Sequence, residues 1–280
     1  MNEQEDELTI QRILIALDTS HHSLAALQAG AKLASSLGAE LHGIFVEDVN
    51  LLRVAGLPAA IELQFPFARE ARLNPGRMRR QLRAQARQAR QAISSVSKRE
   101  RIEWSFQVVR GDVSAKVLEE AAKADILCVG RVSRPVMHQP NIGSTAEAAA
   151  TDAPRPVLLI SRDKRIHSPI AVLYDGSADT KQALLLAAEL AQDMRGLLSV
   201  LVPATASGSS EEIQKRITET LDAEDLVVRY RELSGSGVMS LIDAVRTEGT
   251  GLLVFSSSFL PTNGVMKLLN EVDCPVLLMR

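Results

Sequence analysis

Apolar and polar positions along this chain fall into blocks of two kinds. Residues 12–18, 40–47, 102–110, 126–129 and 156–161 are short runs rich in Ile, Leu and Val. Runs of that length predict strands, and the continuous apolar run at 12–18 predicts burial on both faces. Between them, residues 20–36 place Leu24, Leu27, Ala31 and Ala34 on one face and stop at Gly38, which predicts a helix. Residues 113–124 and 144–151 predict two more helices, the second opened by Gly143. The order then recurs, with strands at 170–174, 197–202, 225–231, 251–255 and 275–279 and helices at 178–193, 237–247 and 264–270. Strands alternating with helices predict parallel sheets with right-handed crossovers.

The recurrence extends to individual residues. Ile-Leu-Ile-Ala-Leu-Asp ends at Asp18 and Ile-Ala-Val-Leu-Tyr-Asp ends at Asp175. From there Ser20 aligns with Ser177, Ser23 with Thr180, Leu27 with Leu184, Leu33 with Leu190 and Leu41 with Leu198. Both copies close on Pro-Val-Leu-Leu, at Pro156 and at Pro275. A repeat this long means two duplicated domains rather than a solenoid. The polar run from Arg162 to Arg165 is the expected linker, giving domains at 1–163 and 164–280.

Composition agrees with this reading. Of 280 residues, 46% are hydrophobic but only 3% aromatic, so the cores must be aliphatic. No apolar run is long enough to cross a bilayer, and the acidic start has no signal-peptide pattern. Cys128 and Cys274 fall in or beside expected buried strands without metal-type spacing, which reads as packing in a reducing, cytoplasmic setting. Net charge is only −2, but eleven Lys/Arg against two acids lie between Arg69 and Arg101, leaving −11 for the rest. These residues end an insert, 48–97, that begins irregularly (Pro58, Pro66, Pro75, Gly76) and finishes as a helix. That helix carries an apolar stripe (Met78, Leu82, Ala86, Ala89, Ile93) and an arginine stripe (Arg79, Arg83, Arg87, Arg90). Without interleaved aromatics or a nucleic-acid motif, the arginines fit a lid or a dimer contact better than a nucleic acid.

Ligands of open doubly wound sheets bind beyond the carboxyl ends of the strands. After the first strand come Asp18, Thr19 and Ser20, which can serve a ligand or simply cap the next helix. After the fourth come Gly130, Arg131 and Ser133, then Gly143, Ser144 and Thr145 opening a helix. Small residues, successive backbone N–H groups and a helix N-terminus together suit an anion. His21 and His22 beside a helix start read as exposed, and His138 is the histidine placed to reach a phosphate. No metal-ligand spacing, Walker loop or nucleophile elbow occurs.

The repeated Asp-x-Ser, the Gly-x2-small-x9-Gly-Ser loop and the closing Pro-Val-Leu-Leu resemble the universal stress protein family, and two copies resemble its tandem form. The resemblance implies two flavodoxin-like (adenine nucleotide alpha hydrolase-like) α/β domains, each a five-stranded parallel sheet. It implies pairing of the domains through residues 156–160 and 275–279 as an internal pseudo-dimer, with a homodimer left open. It further implies ATP, with Mg, in domain one: Asp18 near the adenosine, Val46 lining the adenine pocket, and Gly130, Gly143 and Ser144 holding ribose and phosphates. Thr19, Arg131, Ser133 and Thr145 complete the expected site. Ser133 departs from the family's second Gly. In domain two Ser256 and Val265 replace Gly and Ser/Thr and the loop is shorter, so domain two is expected not to bind ATP. The reading is a regulatory, non-enzymatic, nucleotide-binding stress protein with protein partners unidentified. A scaffold that has lost nucleotide binding, and a slow ATP hydrolase, are the alternatives.

Overall fold

A run of aliphatic strands laid side by side dominates the molecule. A computed structural model describes residues 9–57, 61–64, 69–72, 74–131, 142–161, 164–206, 209–221, 226–235 and 237–280. In the first half the elements are β1 (Arg12–Ala16), α1 (His21–Leu37), β2 (Glu40–Asp48), α2 (Val49–Ala55), β3 (Ile61–Gln64), β4 (Arg69–Arg72), α3 (Pro75–Glu100), β5 (Trp104–Gly111), α4 (Val113–Ala121), β6 (Ile126–Gly130), α5 (Ser144–Asp152) and β7 (Val157–Ile160). In the second they are β8 (Ile170–Leu173), α6 (Ala178–Asp193), β9 (Leu197–Val202), α7 (Ser210–Thr220), β10 (Val227–Glu232), α8 (Val238–Glu248), β11 (Leu252–Ser256), a 3-10 turn (Ser257–Phe259), α9 (Thr262–Glu271) and β12 (Val276–Met279).

Ten strands form one sheet in the order β10-β9-β8-β11-β12-β7-β6-β1-β2-β5. Within each half every pair is parallel, and the strand order is the same 3-2-1-4-5 when each half is numbered by itself. The central strands β6, β7, β8, β11 and β12 bury nearly every side chain, as continuous aliphatic runs require when helices cover both faces. One core lies under α1, α3, α6 and α7, the other under α4, α5, α8 and α9. Both run uninterrupted from one half into the other.

The halves join where β7 and β12 pair antiparallel, Leu158 opposite Leu277, Val157 opposite Leu278 and Leu159 opposite Val276. The pairing is isologous, because Leu158 faces its own counterpart Leu277, and Val157 and Leu159 face each other's counterparts. It covers two strand edges that would otherwise stand open. Two arginines reinforce the seam. Arg131, only 5% exposed, donates to the carbonyls of Leu269 (2.7 Å), Val272 (2.5 Å) and Cys274 (2.7 Å) around the end of α9. Arg280 returns the contact, donating to the carbonyls of Ala149 (3.0 Å) and Ala150 (2.6 Å) in α5. Each cation meets the negative end of a helix in the opposite half. Farther along the seam Ser36 donates to Asp193 at 2.6 Å, tying α1 to α6.

The insert differs from the sequence reading. Its beginning is structured, holding α2 and the antiparallel hairpin β3–β4. Pro75 is the first residue of α3, and Asn74 caps it by accepting from the N–H groups of Gly76 and Arg77. Pro58 and Pro66 lie outside the described residues. Nor is α3 a lid: Leu82, Ala86, Ala89 and Ile93 seat it in the core as the regular crossover helix between β2 and β5. Gly43 of β2 makes room, since a Cβ there would stand 2.6 Å from Ile93 Cδ1. The counterpart α7 is absent from the sequence reading, although Ser209 and Glu212 form a capping box and Ile213 and Ile217 are buried one turn apart. Of the expected linker, Arg162 and Asp163 fall outside the described residues.

Removing the Arg131 guanidinium leaves three carbonyls at the seam without their donor. Arg131→Met should therefore cost about 2–4 kcal/mol of unfolding free energy, read from urea denaturation; an unchanged midpoint would show that the seam does not need it.

Candidate functional site

The order 3-2-1-4-5 reverses direction between β1 and β6, and a crevice opens there beyond the strands' carboxyl ends. It has a volume of about 430 Å³, within the range of small-molecule sites. Its apolar walls come from the strand ends (Ala16, Ile44, Val46, Val129) and from Leu51, Leu82, Val113 and Val117. Its polar rim is Asp18, Ser20, Ser23, Asp48, Gln85, Ser144 and Thr145.

One turn sets the first wall. Asp18 accepts from Ser20 N–H at 2.9 Å, Ser20 caps α1 by accepting from Ser23 N–H at 3.1 Å, and Thr19 between them has φ of 64°. Capping and cavity lining are thus compatible roles for Asp18 and Ser20. The opposite wall is the start of α5. Its N-cap is Gly143, which has no side chain to satisfy the first-turn amides, and among the described residues no side chain caps them beside Ser144 and Thr145 at the crevice.

The structure brings Asp18, Val46, Gly130, Gly143, Ser144 and Thr145 around the crevice. Other expected positions differ. Arg131 turns its guanidinium into the seam, where three carbonyls at the end of α9 accept from its two terminal nitrogens. Burial pushes its pKa below the usual arginine value. Its backbone closes the base of the loop, its N–H donating to Ile160 and its carbonyl accepting from Gly143 N–H at 2.9 Å. The Gly143 amide is therefore engaged within the protein. Thr19 shapes the turn and does not line the crevice. Gly130 is required by packing, since a Cβ would stand 2.6 Å from the His22 carbonyl carbon, where α1 starts. Ser133 and His138 lie outside the described residues. The reading from sequence missed Asp48, Leu51 and Gln85. Asp48 was legible as an N-cap, for it accepts from Asn50 N–H at 2.8 Å to start α2.

The second half keeps the turn but surrounds it differently. Asp175 accepts from Ser177 N–H (2.9 Å) and Thr180 Oγ1 (2.8 Å), with Gly176 at φ 87° in the place of Thr19. Arg216 of α7 lies over this turn, 3.2 Å from where a Gly176 Cβ would stand. Between β11 and α9 the chain makes a 3-10 turn, buries Leu260 and packs Phe259 against the core. Cys128 and Cys274 are both free and buried; burial raises both thiols, Cys274 to about 11.

A parallel α/β sheet with a crevice at its switch point defines a class of ligand-binding proteins. Within that class the match is specific: the sequence profile of the universal stress protein family fits residues 9–161, and the chain belongs to that family. A universal stress protein of Methanocaldococcus jannaschii is 24% identical over 157 residues, 55% of this chain and 84% of the relative. A solved universal stress protein of Archaeoglobus fulgidus DSM 4304 superposes with a TM-score of 0.73 at 14% identity, covering 98% of this chain and 99% of that one. That match spans both halves, as the tandem fold requires. Among the described residues no helix is long and apolar enough to cross a membrane, and no group of three His, Cys, Asp or Glu could hold a metal.

Two predictions follow from the paired turns. A β-branched residue in the left-handed region is strained by about 1 kcal/mol, so Thr19→Gly should raise the melting temperature by about 2–4 °C in a calorimetric scan. At Asp175, burial pushes the carboxyl up, but the hydrogen bonds from Ser177 and Thr180 outweigh it and leave the pKa below the ordinary 3.8. The unfolded state then holds the proton more tightly, so this stabilisation is present above about pH 4 and lost as pH falls through the folded value. Asp175→Asn should flatten that part of the acid limb of urea stability, with the two proteins converging at the lowest pH.

Proposed function

We propose that this universal stress protein is a regulatory binder of ATP or another adenine nucleotide, held in the first half, which signals its occupancy to protein partners. The observation that carries this reading is the crevice itself: an apolar slot closed on one side by a carboxylate turn and on the other by an uncapped helix N-terminus. An adenine ring fits between apolar walls at Val46 and Val113. Asp18 spends one acceptor position on Ser20 N–H, and a carboxylate has further lone pairs for an amino group or a ribose hydroxyl. Phosphate oxygens meet the α5 amides and the hydroxyls of Ser144 and Thr145.

Charge narrows the manner of binding. The described walls carry the carboxylates of Asp18 and Asp48 and no Lys, Arg or His. Phosphate charge is then met by the helix end and by a cation that arrives with the nucleotide, which is the way magnesium commonly binds. Binding rather than turnover fits this rim, which offers no histidine among its described residues and has both carboxylates engaged by backbone amides. The second half, with Arg216 over its turn and Leu260 in its core, is read as the non-binding partner domain. The cytoplasm is the compartment proposed for this activity. A signal has a short path to follow, because α5 starts at the crevice and ends on Arg280 of the second half.

Calorimetric titration with Mg-ATP tests the reading. Ser144→Pro removes one amide and one hydroxyl, while Gly143 at φ −67° and ψ 149° already has the geometry that precedes proline. Affinity should fall about tenfold, the equivalent of about 1.4 kcal/mol, with the fold intact. No binding of ATP, ADP, AMP or cAMP to the parent protein at millimolar concentration would sink it in favour of a scaffold.

A further inference from the structure

The arginine flank of α3 serves neither the crevice nor the seam. Taking Leu82 as the direction of the core and about 100° per residue, Gln85, at the crevice, lies about 60° to one side. Arg79, Arg90, Arg83 and Arg87 lie about 60–140° to the other side. Of the lid and the dimer contact preferred from sequence over nucleic acid, the lid is excluded by phase: these arginines turn away from the crevice mouth. All four are exposed, with Arg77 and Arg80 beside them, and among the described residues none of the six has an ion-pair partner. No acid occurs between Glu70 and Glu100. Cations one turn apart repel by a few tenths of a kcal/mol per pair, and here nothing described offsets the repulsion.

The kind of partner follows from what accompanies the charge. Protein interfaces are anchored by a buried apolar or aromatic centre, and none of the exposed large hydrophobic residues lies on α3. Membrane-surface helices bury an apolar face in lipid, whereas that of α3 is already spent in the core. Single strands are held by stacking on aromatics, and α3 has none. What remains suits rows of phosphates. Guanidinium forks bind phosphate bidentately, and residues four apart rise about 6 Å along a helix. From Arg79 to Arg90 the axis runs about 16 Å, and a duplex carries one charge per about 1.7 Å of its axis, so the flank spans several phosphates.

We propose that the arginine flank of α3 binds the phosphate backbone of double-stranded nucleic acid without reading its sequence. The −11 balance of the remaining chain repels the duplex elsewhere and confines contact to this flank. The proposal is independent of the crevice, since the two lie on different sides of α3.

Fluorescence anisotropy with a labelled duplex about two turns long tests it. The parent protein should bind at about 50 mM salt and weaken about a hundredfold by about 200 mM, with equal affinity for unrelated sequences. The triple variant Arg83→Gln/Arg87→Gln/Arg90→Gln keeps good helix formers on an exposed face. It should keep its circular dichroism, bind at least tenfold more weakly at low salt and show a salt slope reduced by about three. Duplex binding that is absent, or unchanged in the variant, overturns the proposal. So does exclusive binding to phosphatidylserine vesicles, or self-association in sedimentation that the variant abolishes while no duplex is bound.

Discussion

One antiparallel strand pair holds this architecture together. Everywhere else the sheet is parallel, built from crossovers that each half completes by itself. Only β7 and β12 run opposite ways, and only there do the two halves share hydrogen bonds of the sheet. Because the pairing is symmetric about Leu158 and Leu277, it juxtaposes the same surface of two duplicated units. The continuous cores on both faces depend on it. So do the two arginine contacts, which place a cation from each half on a helix end of the other. A buried guanidinium needs partners for its donors; three carbonyls in the opposite half meet the terminal nitrogens of Arg131, while its Nε has no partner among the described residues.

Much of this was legible in the sequence, for reasons that can be named. Aliphatic runs such as Ile13–Leu17 admit few readings other than strands covered on both faces. The aligned Asp18 and Asp175 marked equivalent turns, and the two Pro-Val-Leu-Leu runs marked the strands that meet. The site was harder. Gly130 looked like a residue making way for an anion, yet the start of α1 already fills the space above it. Arg131, next in the chain, looked like a phosphate ligand, but its partners lie some 140 residues away. Local spacing cannot report contacts that only the duplication brings together. Asp48 and Ser209 were different: each was an ordinary N-cap signal that a denser reading of caps would have found.

The duplication also shows how the surroundings of one turn diverge between two copies. Both halves hold the carboxylate turn after their first strand, so that turn serves the fold first. What differs stands around it. The first half has Leu82 and Gln85 of α3 bordering an open slot, whereas the second has a guanidinium across its turn. The first half has thirteen residues between its fourth strand and last helix, the second five, in a turn that feeds Leu260 inward. This divergence needed no change of topology, only one long side chain and a shorter connection.

Helix α5 is pinned twice. At its front the amide of Gly143 is tied to the carbonyl of Arg131; at its rear the carbonyls of Ala149 and Ala150 are tied to Arg280. Nine residues make a rod about 14 Å long. Such a rod cannot slide at one end and stay still at the other. The slot and the joint between the halves are thus mechanically a single object, and neither can be reshaped without load reaching the other.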